Sequence, residues 1–282
     1  MSKKKAISNP LDEGTCEAKS RSVRRSSPST STTPDSESVL KGLSNAWKQW
    51  CAMMKKSGVW DGSANPEDWE CIGLRLQKFH PPTHLPHEEI HAAAMALSKG
   101  KALVEAALKW DNPIIGAGMT VTDVVRGEQW RFVMAWGGLE TIVKTLLRLP
   151  KRNGIKDDQM RSFVDSCDLP TYVPIASPNK SLKDLEDWLA KGEKNGKYEM
   201  LVFLGVDAGD ATAIREWLIE GHGIESWPSA MKLSKAIRNA TGHGALLPAK
   251  VSGWGLRKVI QRLTLDLGQL VAGAIEQLAK ID

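Results

Sequence analysis

The stretch Pro228 to Leu278, PSAMKLSKAIRNATGHGALLPAKVSGWGLRKVIQRLTLDLGQLVAGAIEQL, decides the fold. Ala230, Leu233, Ile237 and Ala240 recur at the spacing of one helix face, while Lys232, Lys235, Arg238 and Asn239 fall around the polar side. Pro228 and Ser229 suit a first turn, and Gly242 suits a left-handed cap at the other end. Beyond a loop over 243–253, the residues Leu256, Val259, Ile260, Leu263, Leu267, Leu270, Val271, Ala274 and Leu278 line one face of a closing helix. So long an apolar face needs neighbouring helices to cover it, and an all-α bundle is expected.

Working back toward the N-terminus, Phe132, Val133, Trp136, Leu139, Val143, Leu146 and Leu147 form another stripe, which Pro150 stops. Ahead of it, Leu40, Leu43, Trp47, Trp50, Cys51 and Met54 predict a helix from Val39 to about Trp60, closed by Asp61-Gly62-Ser63. A second helix is expected from Pro66 toward Phe79, before Pro81-Pro82, and a third from Pro86 to Trp110. Asp111 to Asp123 reads as a connection and a domain seam. After a polar stretch and a Pro-rich loop over 170–178, short helices are expected at 181–191 and 210–220; for Tyr198 to Val206 periodicity does not choose between helix and strand.

The domain reading is therefore a disordered basic and Ser-rich tail over 1–38, a helical N-terminal region over 39–125, and a helical bundle over 126–282. The tail carries the run SSPSTSTTPDSES and too few apolar residues to repay the entropy of ordering. A hydrophobic share of 41% in 282 residues leaves enough for a sizeable core once the tail is set aside. The formal charge of +5 permits a polyanionic partner without demonstrating one. Cys16, Cys51, Cys71 and Cys167 form no C-x-x-C pair and read as free thiols in a reducing compartment. No apolar run approaches the roughly 20 residues that span a bilayer, so no membrane partner and a cytoplasmic location are expected.

The run Ile237-Arg238-Asn239-Ala240-Thr241-Gly242-His243-Gly244 has the R-N-x-x-x-H form, at the end of one helix and ahead of a long amphipathic one. In this it resembles the HEPN ribonuclease superfamily. The resemblance implies an HEPN-like helical bundle over the C-terminal part, with Arg238, His243 and Asn239 as catalytic residues. It also implies RNA as substrate, no cofactor or metal, and a homodimer whose two motifs share one cleft. A toxin or antiviral defence role, with a separate antitoxin or regulatory protein as partner, is the expectation that goes with it.

Residue chemistry points the same way. On an ideal helix residues five apart are displaced by about 140 degrees, so a break at Gly242 is expected to swing His243 back toward Arg238. Asn239, four residues before His243, would share its side and bond the imidazole or a phosphate oxygen. Histidine takes and returns a proton near neutral pH, which suits removal of a 2'-hydroxyl proton, and a guanidinium suits the charge that develops on phosphoryl oxygens. The bland alternative is that Arg238 and His243 merely finish a helix. Glu140 falls inside the apolar stripe of its helix and needs a partner, Arg238 being the evident one, unless it sits at the stripe's edge in solvent. Lys232 and Lys235 are candidate RNA-binding residues, though solvated lysines are the commoner outcome.

Two rivals stand beside this reading. His80, His84, His87 and His91 crowd together, and His87-Glu88-Glu89-Ile90-His91 fits H-E-x-x-H, but Pro86 puts the motif in a first turn and no third ligand motif follows. Alternatively Trp47, Trp50, Trp60 and Trp69 form an interaction surface, and the protein is a non-catalytic dimerisation, nucleic-acid-binding or adaptor module. Convergence of Arg238 and His243 in an open, positively charged cleft separates catalysis from that module.

Overall fold

The computed structural model describes residues 34–80, 84–110, 120–177 and 206–280. Among them the protein is all-α, with one isolated antiparallel bridge between Ile175 and Ile224. The helices are α1 (Ser36–Lys56), α2 (Pro66–Leu76), α3 (His87–Leu108), α4 (Val121–Leu146), α5 (Asp157–Asp165), α6 (Ala208–Leu218), α7 (Trp227–Gly242), α8 (Pro248–Gly253) and α9 (Arg257–Ala279). None of the described helices is long and apolar enough to cross a membrane. The expected tail over 1–33, most of the connection at 111–119, the helix at 181–191 and the run from Tyr198 to residue 205 lie outside the described residues.

Caps set the helix starts. Asp35 accepts a hydrogen bond from the Ser38 backbone N–H at 2.7 Å, so α1 opens at Ser36, inside the span assigned to the tail. Thr120 and Asp123 form a reciprocal capping box, which opens α4 at Val121 and makes helix of residues read as connection. Asn65 and Pro66 open α2, and Asp207 caps α6. Two stretches expected to be irregular are helical: α5 in the polar stretch, and the short α8 inside the loop over 243–253. Pro248 at the first position of α8 supplies the start that the sequence reading passed over.

Helix α9 is the hub. Leu263, Leu267, Leu270, Val271, Ala274, Ile275 and Leu278 are wholly buried against α1, α3 and α4. Helices α1 and α9 meet at Gly268, where an added Cβ would stand 2.7 Å from Val39 Cγ1 and 2.9 Å from a Leu108 methyl. Helices α3 and α4 cross at Gly100 and Gly138; a Cβ on Gly138 would lie 2.5 Å from the Gly100 carbonyl oxygen. The N-terminal helices and the C-terminal bundle therefore share one core across the seam expected at 111–123. Trp50 and Trp69 are buried, and Trp47 and Trp60 are partly buried against the same core, so these four tryptophans are packing residues.

A second anchor fixes the start of α7. Asp266 on α9 is fully buried and accepts from Tyr172 Oη at 2.9 Å and from Arg262 Nε at 2.7 Å. Arg262 also donates to the Val173 carbonyl at 3.2 Å, and Trp227 Nε1 to the Pro170 carbonyl at 2.9 Å. Segment 170–177 is thereby tied to α9 on one side and to the first residue of α7 on the other.

The α3–α4 crossing yields a paired test. Gly138→Ala must push a Cβ into backbone and is expected to cost about 2 kcal/mol. Gly137→Ala, where a Cβ meets nothing within 4 Å, is expected to be neutral or to stabilise by about 0.5 kcal/mol through the unfolded state. Urea unfolding of both variants measures this, and equal effects would show that the crossing is not tight.

Candidate active site

Helix α7 packs between α4, α5 and α6, and its last two turns carry the R-N-x-x-x-H residues. Arg238 is half-buried. Its Nη2 lies 3.7 Å from Glu140 Oε2 on α4, and its Nη1 donates to Asn239 Oδ1 at 2.9 Å. Lys144 pairs with the other oxygen of Glu140 at 2.7 Å. Asn239 in turn donates from Nδ2 to Asp210 Oδ2 at 2.6 Å.

Asp210, on α6, is 1% exposed, and its other oxygen lies 3.5 Å from Lys235 Nζ. Lys235 also reaches Asp157 at 3.2 Å and Asp207 at 3.5 Å. One continuous polar chain thus runs from Lys144 on α4 through Glu140, Arg238, Asn239 and Asp210 to Lys235, joining α4, α6 and α7, and Asp157 at the start of α5 completes it.

Burial raises the Asp210 carboxyl above its ordinary range, although the Asn239 bond and the Lys235 charge work against it. Lys235 is pushed up: burial opposes its charge, but Asp210, Asp157 and Asp207 outweigh that. Asp207 is held below its usual value despite burial, by the Asp210 backbone N–H and by Lys235.

His243 stands outside this chain. The sequence reading put the left-handed residue at Gly242, ahead of His243; the structure puts it at Gly244, with φ of 73 degrees. Gly242 is the last helical residue, and the His243 backbone N–H still bonds the Asn239 carbonyl at 3.0 Å. The end is a Schellman arrangement, with the N–H of Ala245 on the Ala240 carbonyl and that of Gly244 on the Thr241 carbonyl, both at 3.0 Å. Leaving the reversal to Gly244 delivers Leu246, 6% exposed, into the core, which decides between the two glycines. His243 therefore keeps its helical direction, about 140 degrees around from Arg238. Its side chain is exposed, and no described residue hydrogen-bonds the ring.

The structure thus brings Arg238, Asn239 and Glu140 together and leaves His243 apart from them. Both polar atoms of Asn239 are engaged by Arg238 and Asp210. Lys232 lies 3.9 Å from Glu216, and Lys235 faces three carboxylates, so neither presents an unneutralised charge to a phosphate. No family model, curated protein or solved structure matches this chain.

In the histidine-rich segment, His87 stacks on Trp69 with ring centroids 4.8 Å apart and begins α3. Among the described residues no group of three or more His, Cys, Asp or Glu is arranged to hold a metal ion. The sequence reading missed Asp157, Asp207 and above all Asp210. The signal for Asp210 was present: it shares a helix face with Ala213, Ile214 and Trp217, the same anomaly that singled out Glu140.

Because the folded Asp210 carboxyl holds its proton more tightly than an unfolded aspartate does, its contribution is complete below the ordinary aspartate value of about 4 and fades as pH rises through the higher folded value. Asp210→Asn mimics the protonated form. Its stability relative to wild type is expected to improve between pH 4 and pH 7 in denaturant unfolding; a deficit that grows over that range would contradict the raised carboxyl.

Proposed function

We propose that the chain is a metal-independent endoribonuclease of the HEPN kind, with Arg238 and His243 as reacting residues and Asn239 and Glu140 as their supports. The observation that carries this reading is the condition of the two side chains. Arg238 is held by Glu140 and Asn239 with its guanidinium only part-covered, while the His243 ring is exposed and unengaged by any described residue. The two lie on different sides of α7, so the cleft is completed by a second copy in a two-fold dimer, where Arg238 of one chain meets the partner's His243.

In that cleft one His243 takes the 2'-hydroxyl proton, and the 2'-oxygen attacks the adjacent phosphorus. The bond to the 5'-oxygen breaks, the partner's His243 returns a proton to that oxygen, and Arg238 stabilises the charge on the phosphoryl oxygens. The products are a 2',3'-cyclic phosphate and a 5'-hydroxyl. The RNA cut inside a cell would serve a toxin or antiviral defence role, with a separate chain as antitoxin or regulator.

A non-catalytic dimerisation or nucleic-acid-binding module is the second reading. The separation of His243 from Arg238 within one chain and the acidic surroundings of Lys235 favour it, since neither makes the convergent, positive cleft that catalysis on RNA calls for.

Cleavage of total RNA by the purified dimer in excess EDTA separates the two. Cutting is expected to persist, to leave cyclic phosphates, and to fall at least about 100-fold in both His243→Ala and Arg238→Ala. A folded wild-type dimer that leaves RNA intact would move the function to the binding module.

A further inference from the structure

The α4–α5 loop has a charge pattern that the reading of α7 does not use. From Arg148 to Lys156, RLPKRNGIK, four cations occur with no acid among them. Arg148 pairs with Glu89 on α3. Lys151, Arg152 and Lys156 are all exposed, and no described carboxylate pairs with any of them. This is the opposite of Lys232 and Lys235 on α7, which face carboxylates within 3.9 Å. Exposed positive charge with no described carboxylate partner is therefore grouped in this loop.

Lys151 also lines a groove of about 530 Å³ between α3 and α4. Its wall carries Ala92, Ala96 and Gly137 beside Leu85, with the carboxylates of Glu89 and Glu140 paired to Arg148 and Lys144. Glu140 is the residue that pairs with Arg238 at 3.7 Å, so the groove leads from the basic loop to the supports of the candidate active site. The apolar part of such a wall lets a base leave water, and adjacent cations attract the phosphates on either side of it. A concave groove beside the charge suits a single strand better than a lipid surface, which wants cations on a convex face with apolar residues to insert.

We propose that the α4–α5 loop and the α3–α4 groove are the binding track for single-stranded RNA, with Lys151, Arg152 and Lys156 on the phosphates and a base in the groove. This rests on RNA as the ligand class, though not on cleavage.

The test is fluorescence anisotropy of the full chain with a labelled single-stranded RNA of mixed sequence. A His243→Ala background keeps the probe intact, so failure of the cleavage reading leaves the binding measurement standing. Reversal at the loop, Lys151→Glu with Arg152→Glu and Lys156→Glu, is expected to weaken binding at least about tenfold and to lower the slope of log affinity against log salt by about 2, at roughly 0.7 for each phosphate no longer neutralised. The control reverses three exposed lysines on α1, Lys41, Lys48 and Lys55, and is expected to change affinity less than about threefold. Ala96→Leu narrows the groove and is expected to weaken binding with the salt slope unchanged.

Equal losses in the loop and control variants, or unchanged affinity in the loop variant, would overturn the track. Unchanged affinity in Ala96→Leu would remove the base from the groove. Loss of binding to phosphatidylserine vesicles in the loop variant, with RNA binding intact, would assign the surface to a membrane and overturn the proposal.

Discussion

The backbone approach of α3 and α4 at Gly100 and Gly138 is the constraint on which the rest of the structure depends. With an added Cβ on Gly138 only 2.5 Å from the Gly100 carbonyl oxygen, neither residue can carry a side chain without separating the helices. That approach sets the depth of α4, where Trp136 and Glu140 stand two residues to either side of Gly138. Since Glu140 is the α4 group that meets Arg238, the position of the guanidinium is inherited from a steric fact more than half a turn away.

Two buried carboxylates then tie the irregular parts to the helices. Asp266 fixes segment 170–177 through Tyr172 and Arg262, and burial raises it although the Arg262 pair works against that. Asp210 fixes the start of α6 to α7 through Asn239 and Lys235. A carboxylate with no exposed surface costs several kcal/mol unless its oxygens are bonded, so each of these sites is stable only with all its partners in place. Such interactions stabilise one arrangement against near alternatives more than they add to total stability.

The helical stripes were legible because burial on a helix leaves a period in the sequence. The faces of α1, α4, α7 and α9 could be read from Leu43, Phe132, Leu233 and Leu263 and their periodic neighbours. The pairing of Glu140 with Arg238 was legible for the same reason, as a charge inside a stripe. The end of α7 was not, since Gly242 and Gly244 flank His243 and local chemistry suits either as the left-handed residue. The choice fell to Leu246, whose burial only the tertiary core determines. Neutralisation of Lys235 was equally out of reach, because Asp157 and Asp207 come from separate elements and no spacing rule connects them to α7. Local periodicity thus located the residues, while non-local charge decided which of the cations remain available.

Asn239 shows why the position after Arg238 suits an amide. It accepts from the guanidinium through Oδ1 and donates to Asp210 through Nδ2, so it joins a cation on one side to an anion on the other. An aspartate there would set two carboxylates against each other where Asp210 is already raised by burial. A lysine or arginine would crowd Arg238 with like charge, and a serine offers a shorter reach from a single atom. Only a group with a donor and an acceptor fixed about one carbon apart satisfies both neighbours at once. The amide therefore transmits the position of the buried α6 carboxylate to the guanidinium, so that Arg238 is aimed from two directions, by Glu140 from α4 and by Asp210 through Asn239 from α6. His243, one turn on, is left free of both.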